Sequence, residues 1–320
     1  MKILDMHCDT IYRLYFEHTA GDTLERNSLQ VDLEKLKRVG AMGQFFALFF
    51  DAQDPRELKE EETPWEVFTG MHKLYKKEVA RYPHLIGEAL SYKDILSNRE
   101  RGILSSILTL EGGEPVMGDM DKLRKIYDMG VRLITLTWNN ENDLAYPNKY
   151  QDFRELGLKD KGIETVHLMN ELGMIIDVSH LSDGGFWDVA RHSSKPFLAS
   201  HSNAREVWNH PRNLTDDMIR AMADKGGVTG LNFCSSFLDG SDLCKVDDLV
   251  KHALYLIDKG GEEFLALGTD FDGIENSLEI KNIGEMEKLD SALKRGGLTS
   301  SQLEKIYNKN ILRVFKEVVG

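Results

Sequence analysis

The chain has 320 residues, 41% hydrophobic and 29% charged, the balance of a folded globular protein, which excludes wholesale disorder. Its 40 basic against 53 acidic side chains leave a formal charge of −13, a field that repels phosphate backbones and gives no reason to expect nucleic-acid binding. The length suits two ordinary domains or one α/β barrel of about 250 residues with insertions.

The chain enters an apolar run, Ile3 to Met6, without the roughly 7 to 15 apolar residues of a signal peptide. No later run reaches the roughly 18 apolar residues of a membrane-spanning helix. Cys8, Cys234 and Cys244 are odd in number and lack C-x-x-C spacing, so they read as small buried hydrophobes rather than a disulfide framework. The expectation is a soluble cytoplasmic protein with no membrane partner.

His7 and Asp9 follow the first run, and two residues apart on a strand they face the same way. A second run spans Gln44 to Phe50. Residues 51–81 are long for a connection and rich in Glu and Lys, which predicts a loop and a solvated helix inserted at the rim. The third run, Ile103 to Leu110, leads to Glu111 and then Gly112 and Gly113, where the backbone can turn sharply. A carboxylate there can bridge two cations or cap the helix that follows.

Helical spacing over Asp121 to Met129 passes through Gly130 into a fourth run, Val131 to Thr137. A helix over Lys161 to Leu172 and Gly173 precede the fifth, Met174 to Val178, which ends in Ser179 and His180. Ser182 can cap a helix over Asp183 to His192. The sixth run, Phe197 to Ala199, also ends in Ser-His, at Ser200 and His201. Thr215 before Asp216 and Asp217 marks a helix start, and Gly226 precedes the seventh run, Gly227 to Phe233. A helix over Asp247 to Lys259 leads to the eighth, Phe264 to Leu267, and on to Asp270. Alternation turns Asp272 away from the face of Asp270, toward bracing a loop. Residues 298–319 predict one or two helices packed outside the strands.

Eight apolar strands alternating with helices predict a parallel sheet covered by helices, closed as a single (β/α)8 TIM barrel over residues 1–320. An open doubly wound sheet is the other arrangement, but no G-x-G-x-x-G follows the first strand. In a barrel the carboxyl ends of the strands meet at one face. Each histidine alone fits a core residue. Metal-capable side chains recurring at the ends of strands one, three, five, six and eight point instead to a metal-dependent hydrolase. His18, His72, His84, His167, His192 and His252 fall in helices or loops and receive no role.

The segments D-M-H-C-D (5–9), G-Q-F-F (43–46), L-E-G-G (110–113), L-I-T-L-T (133–137), I-D-V-S-H (176–180), S-H-S (200–202), H-P-R-N (210–213), G-T-D-F-D-G (268–273) and N-I-L-R-V-F (310–315) stand in this order over nearly the whole chain. With them the chain resembles the membrane dipeptidase (renal dipeptidase) family, the M19 type of zinc peptidase. The resemblance implies a metallo-dependent hydrolase barrel with two zinc ions: His7 and Asp9 on one, His180 and His201 on the other, Glu111 bridging them. It implies that Arg212 binds the substrate carboxylate and Asp270 handles the proton. Unaided, Arg212 also reads as a guanidinium suited to a two-pronged pair with a carboxylate. One departure stands out. Trp138 follows I-T-L-T where the mammalian members have a histidine that contacts the scissile carbonyl, and an indole donates one hydrogen bond but carries no proton. Resemblance alone allows a homodimer.

The expected activity is hydrolysis of dipeptides, including those with a carboxyl-terminal D-residue, by hydroxide shared between two cations, with Glu111 and Asp270 at the chemistry. A second reading is another amidohydrolase acting on a small amide or lactone; such relatives usually open with H-x-H, where this chain has H-x-D. A third is a non-catalytic peptide-binding barrel, which predicts loss of a ligand or of Asp270, and all are present.

Overall fold

The computed structural model describes residues 1–17 and 20–320; His18 lies outside the described residues. Ten strands appear among them: β1 (Leu4–Asp5), β2 (Gly43–Phe49), β3 (Ile86–Glu88), β4 (Leu104–Glu111), β5 (Val131–Thr135), β6 (Ile175–Asp177), β7 (Thr229–Leu231), β8 (Leu243–Cys244), β9 (Leu265–Leu267) and β10 (Ser277–Leu278). The strand pairings are parallel, and the main sheet runs β1-β2-β4-β5-β6, with β3 beside the start of β4. β7 pairs with β9, and β8 with β10.

Single parallel bridges carry the pairing further, from Asp177 to Leu198 and from Ala199 to Thr229. On the far side, the Met6 amide donates to the Leu267 carbonyl at 3.0 Å, and Cys8 bridges to Phe271. All eight runs expected from the sequence therefore take part in parallel pairing, in an α/β fold with a curled sheet. β3, β8 and β10 were not foreseen; at two or three residues each they are too short to show a period.

Alternation sorts the strand side chains into two buried sets. Leu4, Phe45, Ile107, Leu133, Ile175 and Leu198 pack in one cluster with Ile311, Val314, Phe315 and Val318 of the helix Asn310–Val318. Phe46, Leu48, Leu108, Leu110, Ile134 and Ile176 pack in the other, against the covering helices. The carboxyl-terminal helix covers a cluster built from one face of the strands. Burying a side chain such as Phe315 contributes roughly 1.5–3 kcal/mol, so this helix is a structural part of the sheet's packing.

Three corrections concern local structure. The helix Pro64–Arg81, opened by a Thr63–Glu66 capping box, is not solvated all round: Val67, Phe68, Met71, Tyr75 and Val79 form a buried stripe at helical spacing. The predicted strand over His7 and Asp9 stops at Asp5; Asp9 is already the N-cap of the helix Thr10–Phe16. Cys8 and Cys244 are buried, but Cys234 is partly exposed. The Thr215 and Ser182 caps form as expected, accepting from the amides of Met218 and Gly185. None of the described helices is long and apolar enough to cross a membrane.

Candidate metal centre

β4 is buried along its whole length and delivers Glu111 at its last position, in register with Phe49 of β2 and Thr135 of β5. Gly112 then takes φ 94°, a conformation open to glycine and strained for other residues, so the chain turns away at once. The two oxygens of Glu111 face different partners. Oε2 lies 3.3 Å from His7 Nε2; Oε1 lies 3.0 Å from His180 Nε2 and 3.4 Å from His201 Nε2. His7 Nε2 is also 3.3 Å from Asp9 Oδ2 and 3.8 Å from Asp270 Oδ1, and the two nitrogens of His180 and His201 are 3.0 Å apart.

Two groups of three mutually close ligand atoms result, His7–Asp9–Glu111 and Glu111–His180–His201, with Glu111 in both; Asp270 forms a third with His7 and His201. Asp9 makes no side-chain cap bond to its helix, so its carboxylate is available. The buried His7 Nδ1 and Nε2 and Asp9 Oδ1 have no hydrogen-bond partner among the described residues. Buried polar atoms without partners are costly, and here they surround common points in a nitrogen and carboxylate set suited to divalent ions. The residues fit a metal.

A supporting layer, to which no role was assigned from sequence, sets the ring orientations. Asp177 accepts from the hydroxyls of Thr135 and Ser179 and from the hydroxyl and amide of Ser200. Because the Ser200 proton goes to a carboxylate, its oxygen accepts from His201 Nδ1, 2.7 Å away, and His201 Nε2 keeps its lone pair. Asn139 Oδ1, 3.2 Å from His180 Nδ1, does the same for His180. Asp177 carries its own signal in the sequence, since a carboxylate inside I-I-D-V is expensive unless satisfied.

Charge in this layer is strongly biased. Burial would lower the His7 pKa, but Glu111 and Asp9 hold it well above the ordinary value. Burial and then Arg212 push His180 down to about 4; burial, His7 and Arg212 push His201 well below its usual value. Against the effect of burial, His7 and His180 hold Glu111 below the carboxylate range. Burial, reinforced by Asp9 and Glu111, raises Asp270 to about 7. His180 and His201, neutral beside the ionised Glu111, are in the forms that ligate metals, whereas His7, held protonated by its two carboxylates, must lose that proton to do so.

Arg212 is 5% exposed, with Nη2 2.9 Å from His180 Nε2, Nη1 donating to Ser202 Oγ, and its guanidinium 5.2 Å from the Phe237 ring centre. Asn232, unassigned from sequence, donates to Asp270 Oδ2 at 2.9 Å. Asp270 itself has φ 62°, a strained backbone at a site residue. Asp272 also has positive φ, so strand alternation does not govern it; its oxygens accept from Thr10 Oγ1 and the Gln30 amide, each at 2.6 Å. Trp138 packs against Phe49, ring centres 4.7 Å apart, with His180 beyond at 6.3 Å. Arg212, Asp270, Asp272, Trp138, Phe49 and His180, with Asp51, line a cleft of about 330 Å³, at the small end of ligand pockets. His210 flanks the site, accepting from the Arg212 amide through Nδ1 and packing on Phe237, while His252 bonds to Leu238 O and the Ala204 amide away from it.

A family model described as membrane dipeptidase (peptidase family M19) matches residues 1–319. An uncharacterised dipeptidase of Schizosaccharomyces pombe is 31% identical over 342 residues, covering 99% of this chain and 80% of that protein. A Klebsiella pneumoniae protein described only as lying in a pqqA 5' region is 36% identical, over 77% of this chain and 93% of its own. Among solved structures, a Rhodobacter sphaeroides metallo peptidase liganded with a phosphinate mimic of L-Ala-D-Ala has a TM-score of 0.87 at 27% identity, covering 99% of each chain. A metallo peptidase of family M19, dipeptidase AC, has a TM-score of 0.90 at 27% identity over 100% of this chain and 99% of its own. The matched family model and the side chains gathered at Glu111 agree: this chain belongs to the membrane dipeptidase family, peptidase family M19, and is a metallo-dipeptidase, a hydrolase.

Proposed function

We propose that the protein is a zinc dipeptidase with a binuclear site, His7 and Asp9 holding one ion, His180 and His201 the other, and Glu111 bridging. The division of Glu111, one oxygen toward His7 and the other toward His180 and His201, carries this reading. Imidazole and carboxylate donors without thiolate suit zinc, which when bound polarises a carbonyl and lowers the pKa of water to near 7.

The remaining roles fall to the chain. Arg212 pairs with the free carboxylate of the substrate and, buried beside His180, fixes its distance from the metal ligands, which limits the substrate to two residues. Asp270, held by Asn232 at Oδ2 and with Oδ1 toward His7, takes a proton from the attacking water and returns it to the departing amine. A metallo peptidase of 27% identity bound to an L-Ala-D-Ala mimic supports a D-residue on the carboxyl side as acceptable here. Trp138 walls the cleft with an indole where it can pack on substrate but not exchange a proton.

The pairings from β1 through β6, across Leu198 and Ala199 to β7 and β9, and from Leu267 and Phe271 back to Met6 and Cys8 support closure as a single-domain (β/α)8 TIM barrel. Three unpaired cysteines support a reducing, cytoplasmic location. The direct test of the activity is a panel of L,L and L,D dipeptides assayed with zinc and with chelator. Hydrolysis abolished by chelator supports it; a zinc-loaded protein inert on the whole panel refutes it.

A further inference from the structure

We propose that Asp51 binds the free α-ammonium group of the substrate and so makes a free amino terminus a condition of tight binding. This rests on the dipeptidase reading above and names the residue that recognises the other end of the molecule.

The cleft is electrically bipolar. Arg212 lies in the loop after the Phe197–Ala199 segment, which is four strand pairings from β2 (β2 to β4, β5, β6, then Leu198), and Asp51 lies just past the end of β2; both line the same cleft. Between them stand Glu111 and His180. A dipeptide has the matching order: carboxylate, scissile carbonyl, ammonium.

Most other carboxylates around the cleft are committed. Asp9, Glu111 and Asp270 gather at His7, Asp272 is held by Thr10 and Gln30, and Glu17 pairs with Arg13. Glu57 accepts from the Tyr12 hydroxyl and the Asp51 amide, each at 2.7 Å. Glu275 is exposed and has no such anchorage. Asp51 is different: Oδ1 accepts from Asn140 Nδ2 at 2.7 Å and from the Gln53 amide at 2.9 Å, while Oδ2 has no partner among the described residues. The carboxylate is thus fixed by one oxygen and offers the other.

Its placement relative to the chemistry is set by three successive residues. Trp138 stacks on Phe49, Asn139 bonds to His180 Nδ1, and Asn140 bonds to Asp51. Phe49 is in register with Glu111 and ends β2, so Asp51 follows two residues past the position that pairs with Glu111. The α-nitrogen of a dipeptide is separated from the scissile carbonyl carbon by one Cα. That short reach suits an α-ammonium and leaves the first side chain on the aromatic wall of Tyr12, Phe49 and Trp138.

The test compares a phosphinate dipeptide mimic with its des-amino twin, binding measured by calorimetry to the zinc-loaded protein, alongside kinetics on Ala-Ala and propionyl-alanine. The wild-type protein is expected to prefer the amine at least 30-fold. Asp51→Asn keeps the Oδ1 acceptor and removes the charge; it is expected to abolish that preference, to raise KM about 100-fold for Ala-Ala with little change in kcat, and to keep its zinc. Asp51→Glu should restore part of the preference. KM of the wild type should rise above pH 8 as the substrate amine loses its proton, and Asp51→Asn should lack that rise. A wild type without amine preference, or Asp51→Asn that retains it, overturns the proposal whatever the variant's folding. In either case hydrolysis of Ala-Ala would leave the dipeptidase reading intact, and a zinc-loaded wild type inert on all dipeptides would remove both.

Discussion

Asn232 donates through Nδ2 to Asp270 Oδ2 at 2.9 Å and to the His201 carbonyl at 3.2 Å, so one amide ties the Asp270 carboxylate to the backbone of His201. Asp270 Oδ1 is left toward His7, 3.8 Å away. Asn232→Ala removes the tether and leaves a buried carboxylate oxygen unsatisfied. Losing such a bond costs about 1–3 kcal/mol, so kcat should fall roughly 10- to 100-fold while zinc content holds. Steady-state kinetics with metal analysis check this; unchanged kcat would remove Asn232 from the account.

Gly273 has no room for a side chain, because a Cβ there would overlap Asp9 Oδ2 and crowd Asp270 Oδ1. Gly273→Ala must displace Asp9 or shift the backbone. The expected outcome is a cooperatively folded protein with weakened metal affinity and at least a 10-fold lower kcat/KM, partly restored by excess zinc. Metal titration followed by activity is the measurement.

On the proposed function, Arg212 reads the substrate carboxylate through a planar fork that lysine does not reproduce. Arg212→Lys and Arg212→Met should both raise KM for dipeptides about 100-fold, taking a buried charged pair at roughly 3 kcal/mol. Dipeptide amides should be poor substrates of the wild type and lose little more in either variant. Comparing the acid and amide substrates separates carboxylate recognition from general damage.

Asp272 supplies a pH signature of stability. Burial raises its pKa from 3.8 to about 6, against the hydrogen bonds from Thr10 and Gln30. A raised acid binds its proton more tightly in the folded state, so the contribution is complete below about pH 4 and is lost as pH rises through 6. The size is on the order of 2–3 kcal/mol. Asp272→Asn keeps the acceptor for the Gln30 amide and can donate to Thr10, so its stability should lack that decline. Urea unfolding between pH 4 and 8 checks it; parallel pH profiles would contradict it.

The apolar runs exposed most of the strand plan because parallel strands buried on both faces leave no polar interruption except where chemistry needs one. Glu111, His180 and His201 were legible as interruptions at strand ends, and Asp177 could have been. His7 and Asp9 were found by an assumption that does not hold: they sit beyond the strand, and Asp9 reaches the cluster from a helix N-cap. Asn139, Asn140 and Asn232 were invisible, since an asparagine in a loop has many uses and only its partners reveal which one applies. The helix Pro64–Arg81 misled because its charged face dominates the composition, while its buried stripe falls at helical spacing between those charges. Asp270 and Asp272 lie in left-handed backbone, where strand parity carries no information.

The most direct test of the central claim is metal stoichiometry, measured by elemental analysis of the wild type and of Glu111→Gln after equilibration with zinc and removal of the free ion. Two zinc ions per chain are expected for the wild type, and no more than one for Glu111→Gln, with hydrolysis lost in parallel. A wild type that retains fewer than two ions, or a Glu111→Gln variant that keeps both with full activity, would contradict a site in which Glu111 joins two metals.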